Sequence, residues 1–323
     1  MNHALTRRDF LAATAASAAA GAGILAAGPA EAAKFKTKLS RAMIRSPNEK
    51  ALAELQAAGF DGLETSDWRV TPEKAEEGRE LAKNHGLKIH SVLYGWANFN
   101  SPDAAAVDKD IADVTQALHA AQGYGASALL VVPCRTGVTP IPEAWEFDIT
   151  FDDQTGHVTQ VVSGDNAKYE AYIKAQNDAT DASRRAVEKL TPVAEKTGVI
   201  IALENVWNNL WVKPKFFASF VRSFKNRWVQ AYFDIGNHVK YAPPEEWIRA
   251  LGKLIVKLHV KDFKLNPDGH GGTFVHPRDG SVDWPLVRKE LDKVGYNGWM
   301  TIEDDGLPLK EFRRRLDLII AGK

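Results

Sequence analysis

The chain has 323 residues, room for two average domains or for one (β/α)8 barrel of roughly 250 residues with additions. Its composition, 45% hydrophobic and 25% charged, suits a globular protein and excludes wholesale disorder, collagen and a polytopic membrane protein. Lys plus Arg and Asp plus Glu number 41 each, so the net charge is zero and no basic run is long enough to follow a phosphate backbone; no nucleic-acid partner is expected.

At the N-terminus, Thr6-Arg7-Arg8-Asp9-Phe10-Leu11 places a twin arginine before an Ala/Gly-rich stretch from Leu11 to about Ala27, and Ala30-Glu31-Ala32 supplies a small-x-small cleavage site. The segment resembles a bacterial twin-arginine signal peptide. That resemblance implies a signal over 1–32, a mature domain over 33–323, the twin-arginine (Tat) export machinery as a partner, and a periplasmic or secreted location. An uncleaved anchor helix is the alternative. Gly21, Gly23, Gly28, Pro29 and the weak hydrophobicity of alanine argue against it, so no stable membrane anchoring is expected after cleavage.

Beyond the signal, eight short β-branched or apolar runs read as strands: Lys38 to Ile44, Phe60 to Thr65, Leu87 to Tyr94, Ala126 to Pro133, Val199 to Val206, Val229 to Gly236, Ile255 to Phe263 and Gly298 to Asp304. Segments with helical spacing alternate with them, from Glu49 to Ala58 through Leu309 to Ile320, and Gly59, Gly86, Gly125, Gly198 and Gly295 stand where helix-ending glycines belong. Eight alternations with short turns predict a parallel sheet closed into a (β/α)8 TIM barrel. An open doubly wound sheet would carry a glycine-rich phosphate turn after its first strand, and Arg45-Ser46-Pro47-Asn48 is not one.

Two connections are longer than turns, and both leave the C-terminal ends of strands, where barrel enzymes keep their sites. Arg135 to Asn166, after the fourth strand, contains alternating Glu146 to Phe151, a turn at Asp153 to Gly156, and His157 to Val161; it reads as a β-hairpin insertion. Leu265 to Gly280, after the seventh, is a long loop rich in Gly, Pro, His and Asp. Both are candidate lids.

Four ligand-type residues end strands five to eight: Glu204 in Ala-Leu-Glu-Asn, Asp234 in Tyr-Phe-Asp-Ile-Gly-Asn, His259 in Lys-Leu-His-Val-Lys-Asp and Glu303 in Thr-Ile-Glu-Asp. Ionisable groups closing apolar strands are expensive to bury alone, and one cation at the barrel mouth compensates all four. Three carboxylates and an imidazole suit a divalent metal, Mn2+ first, with Mg2+, Co2+ or Zn2+ as alternatives. The single cysteine, Cys134, rules out a thiolate cage or an intramolecular disulfide and reads as a buried structural thiol.

The motifs Leu-Glu-Asn, Phe-Asp-Ile-Gly-Asn, His-Val-Lys-Asp, Gly-Ser-Val-Asp-Trp and Thr-Ile-Glu-Asp, in that order, resemble those of the xylose isomerase-like TIM barrels, the sugar phosphate isomerase/epimerase group. The likeness runs from about Lys38 to the C-terminus. It implies that Glu204, Asp234, His259 and Glu303 are metal ligands and that Glu204 and Glu303 are also the catalytic acid/base pair on opposite faces of a sugar. Chemistry supports that arrangement: removing a proton beside a carbonyl needs the developing enediolate stabilised and a base to take the proton. The expected function is a metal-dependent isomerase or epimerase acting on a ketose, inosose or keto-sugar. A lyase or dehydratase on an inosose or 3-keto-glycoside, and a non-catalytic exported carbohydrate-binding barrel, are the alternatives.

Departures from the epimerase pattern fall in the substrate shell. Asn237, followed by His238, stands where those enzymes carry histidine, Leu265 where they carry arginine, and Leu210 where they carry a second glutamate. Candidate substrate contacts are therefore Asn237, His238, Lys261, Arg278, Trp207 and Glu64, with His276, His90 and Asp262 as further possibilities. Trp68, Tyr94, Trp96 and Trp211 are additional aromatics for a sugar-binding wall or a core cap. A small carbohydrate is the expected partner, and the oligomeric state is left open.

Overall fold

The computed structural model describes residues 35–323, so the twin-arginine segment lies outside the described residues. The chain runs through β1 (Leu39–Ile44), α1 (Glu49–Ala58), β2 (Gly62–Thr65), α2 (Pro72–Asn84), β3 (Lys88–Trp96), α3 (Ala104–Tyr124) and β4 (Ala128–Val132). An antiparallel hairpin of β5 (Phe147–Phe151) and β6 (Val158–Val162) follows. Next come α4 (Glu170–Thr197), β7 (Ile200–Leu203), α5 (Pro214–Ser223), β8 (Val229–Asp234), α6 (Pro244–Leu251) and β9 (Ile255–Val260). A second hairpin, β10 (Asp262–Leu265) with β11 (Gly272–Val275), precedes α7 (Trp284–Val294), β12 (Gly298–Ile302) and α8 (Leu309–Ile320).

Eight of these strands close a parallel barrel in the order β1-β2-β3-β4-β7-β8-β9-β12, with β12 pairing back onto β1. This is the expected (β/α)8 fold. Local chemistry sets the element ends: Asn48, Thr71, Asp103 and Asp283 cap helices through their side chains, satisfying amide groups that no helical carbonyl reaches. Gly59, Gly125, Gly198 and Gly295 end helices with φ between 69° and 81°, a region that disfavours any side chain.

Strand alternation divides the core into two layers. Leu129, Val131, Ile201, Leu203 and Phe233 join the large cluster under the helices, whereas Ala128, Leu130, Val132, Ala202 and Tyr232 form a separate cluster inside the barrel. Continuing the inward phase by two residues carries Ala202 to Glu204 and Tyr232 to Asp234 at the C-terminal mouth.

The sequence reading overran several strands, β7 and β9 by three residues each. β7 stops at Leu203, because residues 204–212 leave the ladder for a hydrogen-bonded loop, and β9 stops at Val260. Within the long loop expected over Leu265 to Gly280, residues 272–275 form β11 and pair with β10, so that a hairpin starts already at Asp262. That carboxylate accepts hydrogen bonds from the backbone N–H groups of Arg278 (2.8 Å) and Val282 (3.2 Å) and from the Trp284 indole (2.9 Å). Gly280 passes so close to this carboxylate that a Cβ would collide with it.

Candidate metal centre

Glu204, Asp234, His259 and Glu303 come together at the C-terminal end of the barrel, each presenting one ligand atom within 4.8 Å of the others. Parallel pairing explains the convergence. Asp234 is in register with His259, and Thr301, two residues before Glu303, is in register with His259 on its other side. Glu204, immediately after β7, completes an arc over four consecutive strands, so the two glutamates occupy its ends.

The donor atoms are poorly satisfied by the protein. Asp234 Oδ1 accepts from the N–H groups of Gly236 and Asn237, both at 2.8 Å, while its buried Oδ2 has no hydrogen-bond partner. His259 Nδ1 lies 2.7 Å from Glu303 Oε2 and 3.9 Å from Glu204 Oε1, yet neither Nδ1 nor Glu303 Oε2 makes an aligned hydrogen bond. Donor atoms crowded together at a barrel mouth without aligned hydrogen bonds mark a place that a cation would satisfy.

Charge is equally unbalanced. Burial pushes the Glu204 carboxyl up to about 8, against the pull of His259 and with repulsion from Glu303 and Asp234 adding to it. Burial also raises Asp234, with Lys261 opposing. Glu303 is half-buried, and although desolvation raises its carboxyl, His259 and Lys261 outweigh that cost and hold it well below the usual carboxylate range. Burial alone would lower His259, and the Glu303 and Glu64 carboxylates reverse the direction.

Glu64 is fully enclosed and does not reach the mouth as a substrate contact. Its carboxylate lies behind the imidazole, 2.9 Å from His259 Nε2, and accepts the Tyr232 hydroxyl at 2.5 Å. With the Nε2 proton directed to Glu64, the Nδ1 lone pair faces the other three ligands, the carboxylate–imidazole arrangement that orients metal-binding histidines. Tyr232 was missed in the sequence, although its position two residues before Asp234 on an inward-facing phase is a signal that could have found it.

Lys261, Asn237 and Trp207 do stand beside the quartet. The Lys261 ammonium is 2.9 Å from Glu303 Oε1 and 3.5 Å from both Asp234 Oδ2 and Asn237 Oδ1. Asn237 donates its Nδ2 to Glu204 at 3.3 Å, and its carbonyl accepts the Trp207 indole at 2.6 Å. The loop after β8 can lie against Lys261 because residue 236 is glycine, where a Cβ would sit 2.6 Å from the lysine side chain.

Other candidates are placed elsewhere. His238 is buried and stacks on Trp247 of α6, ring centroids 4.4 Å apart. Arg278 is exposed with φ 80°, held by its backbone contact to Asp262. Asp262 organises that loop, and His90 stacks on Trp299 at 4.5 Å inside the barrel. His276 pairs with Asp304 at 2.8 Å beside the hairpin. Trp68 and Trp211 are buried core side chains, half-buried Tyr94 packs on Trp68, and Trp96 stays exposed. Cys134 is buried beside Ser183, with burial pushing the thiol up to about 12, as an inert structural cysteine requires.

The family model of the xylose isomerase-like TIM barrels matches residues 52–319. No curated protein matches the sequence. Among solved structures, the chain is similar to a zinc-bound IOLI protein (TM-score 0.66, 16% identity, 88% of this chain and 98% of that one). It is similar to a xylose isomerase domain protein from Planctomyces limnophilus (TM-score 0.63, 16% identity, 89% and 97%). A 3-keto-D-glucoside 4-epimerase from E. coli is also similar (TM-score 0.62, 15% identity, 87% and 99%).

Proposed function

The chain belongs to the xylose isomerase-like TIM barrel family, and from that premise we propose that it is a divalent-metal-dependent isomerase or epimerase that enolises a ketose, inosose or keto-sugar. The observation that carries the proposal is the convergence of Glu204, Asp234, His259 and Glu303, among which Asp234 Oδ2, His259 Nδ1 and Glu303 Oε2 lack hydrogen-bond partners. These four residues would hold the cation, Mn2+ first among Mg2+, Co2+ and Zn2+. When bound, it supplies Lewis-acid polarisation of a substrate carbonyl.

The protein's own groups account for the proton traffic. Glu204 and Glu303, at the two ends of the arc, flank a ring placed between them, so one carboxylate takes the proton beside the carbonyl and the other returns one to the opposite face. Lys261 and Asn237 are positioned to orient hydroxyl groups, and Glu64 holds the His259 ring. If the enolised sugar carries a leaving group on the adjacent carbon, the same proton removal expels it. This lyase reading is favoured by the Lys261 ammonium, 2.9 Å from Glu303, where charge on a departing oxygen could be met. Residues 1–32 are a twin-arginine signal on this reading, directing the 33–323 barrel to the periplasm; N-terminal sequencing of the exported protein tests the cleavage site.

The function is tested by metal analysis together with proton–deuterium exchange, followed by NMR, over a panel of ketoses, inososes and 3-keto-glycosides. Stoichiometric metal and exchange beside a carbonyl are expected, and the product separates epimerisation from elimination. No metal and no exchange would leave a sugar-binding barrel as the better account.

A further inference from the structure

Among the described residues, the large apolar side chains left exposed are Trp96, Trp145, Trp207 and Phe274, 40 to 46% accessible. Trp96 ends β3, and the others lie on connections that leave C-terminal strand ends. Of these, Trp207 and Phe274 touch each other, and contiguous exposed apolar surface marks a binding surface.

Trp207 and Phe274 make a ledge, ring centroids 5.0 Å apart, with Phe263 edge-on beneath both at 5.7 and 5.2 Å. The ledge begins where the quartet ends. Lys261 Nζ lies 5.7 Å from the Phe274 ring and 2.9 Å from Glu303, and Trp207 is tied through Asn237 to Glu204. Its position is enforced: in the same loop Asn209 and Trp211 have φ of 61° and 49°, held by the Tyr172 hydroxyl on the Asn209 carbonyl (2.6 Å) and by Asn205 on the Trp211 carbonyl (3.0 Å). Such strain persists only where the surroundings over-determine it.

We propose that this ledge is a second sugar subsite, so that the substrate is a two-ring glycoside: the keto ring lies at the quartet and a further pyranose rests its C–H face on Trp207 and Phe274. The inference rests on the keto-sugar reading above. A sugar fits the ledge better than a hydrocarbon group because the Lys240 ammonium lies over the Trp207 ring, 3.5 Å from its centroid: a pyranose resting there offers hydroxyl acceptors to the cation it displaces, whereas a hydrocarbon group displaces it without compensation. Polar groups that fix orientation beside apolar walls are the usual composition of a carbohydrate-sized pocket.

The test is calorimetric titration of the Mn2+-supplemented protein with one-ring and two-ring pairs, fructose against lactulose and 3-ketoglucose against 3-ketocellobiose, with proton–deuterium exchange followed on the same samples. At least one two-ring ligand should bind about tenfold tighter than its one-ring partner, a difference of about 1.4 kcal/mol. Phe274→Ala should collapse that ratio toward one, and Phe274→Tyr should retain it. Equal affinities within both pairs, no binding by any ligand, or a ratio unchanged in Phe274→Ala overturns the subsite. A two-ring preference without proton exchange would instead overturn the enolising function and leave the subsite standing.

Discussion

His259 Nε2 stands 2.9 Å from Glu64 Oε1, with both side chains fully enclosed in the barrel. The contact spans 195 positions in sequence and decides which imidazole nitrogen faces the ligand cluster. Replacing Glu64 with alanine should lower metal affinity by about 10- to 100-fold, read by competition with a chromogenic chelator. Unchanged affinity in a folded variant would remove Glu64 from the orienting role.

The two glutamates at the ends of the ligand arc are expected to behave alike in exchange assays. Glu204→Gln and Glu303→Gln should each reduce proton–deuterium exchange by roughly 10² to 10⁴-fold or more, and metal analysis of the same preparations separates loss of a base from loss of the cation. Exchange at the parent rate in either variant would take that residue out of proton transfer.

Lys257 supplies a pH test away from the ligand atoms. It is only 4% exposed on β9, and burial, partly opposed by Glu64, pulls its ammonium down to about 7. The unfolded chain therefore binds more protons than the folded one between about pH 7 and the ordinary lysine value near 10.4. The burial penalty is complete below that window and relieved as pH rises through it. The parent protein should gain roughly 2 to 5 kcal/mol relative to Lys257→Met between pH 7 and 10, measured by urea unfolding. Parallel stability profiles for the two proteins would contradict the assignment.

Asp262 holds the β10–β11 hairpin to the start of α7 through Arg278, Val282 and Trp284. Asp262→Ala leaves these donors unpaired and should destabilise the fold by about 2 to 4 kcal/mol, lowering the thermal midpoint. Hydrogen exchange should rise first at residues 276–284, and uniform protection across that segment would count against the hub.

Much of this was legible in the chain. Helix caps and glycine stops are local, and an apolar run ending in a carboxylate or imidazole identifies Glu204, Asp234, His259 and Glu303 because burying such groups demands a shared compensation. Loop geometry was less legible. Asp262 neighbours Lys261 in sequence, yet the chain turns between them and sends one side chain to Glu303 and the other to the Trp284 indole. His238 follows Asn237 directly and still packs outward on Trp247.

The sequence by itself therefore determined the eight-fold alternation, the hairpin after the fourth strand and which four residues, Glu204, Asp234, His259 and Glu303, gather at the barrel mouth, since each depends on short-range periodicity or on residue chemistry. Only the tertiary structure decided that Glu64 and Tyr232 stand behind His259, that β10 and β11 pair beyond the barrel, and that Trp207 and Phe274 share a ledge. Those contacts join residues far apart in sequence through barrel closure and strand register, and no local pattern encodes which distant side chains closure will bring together.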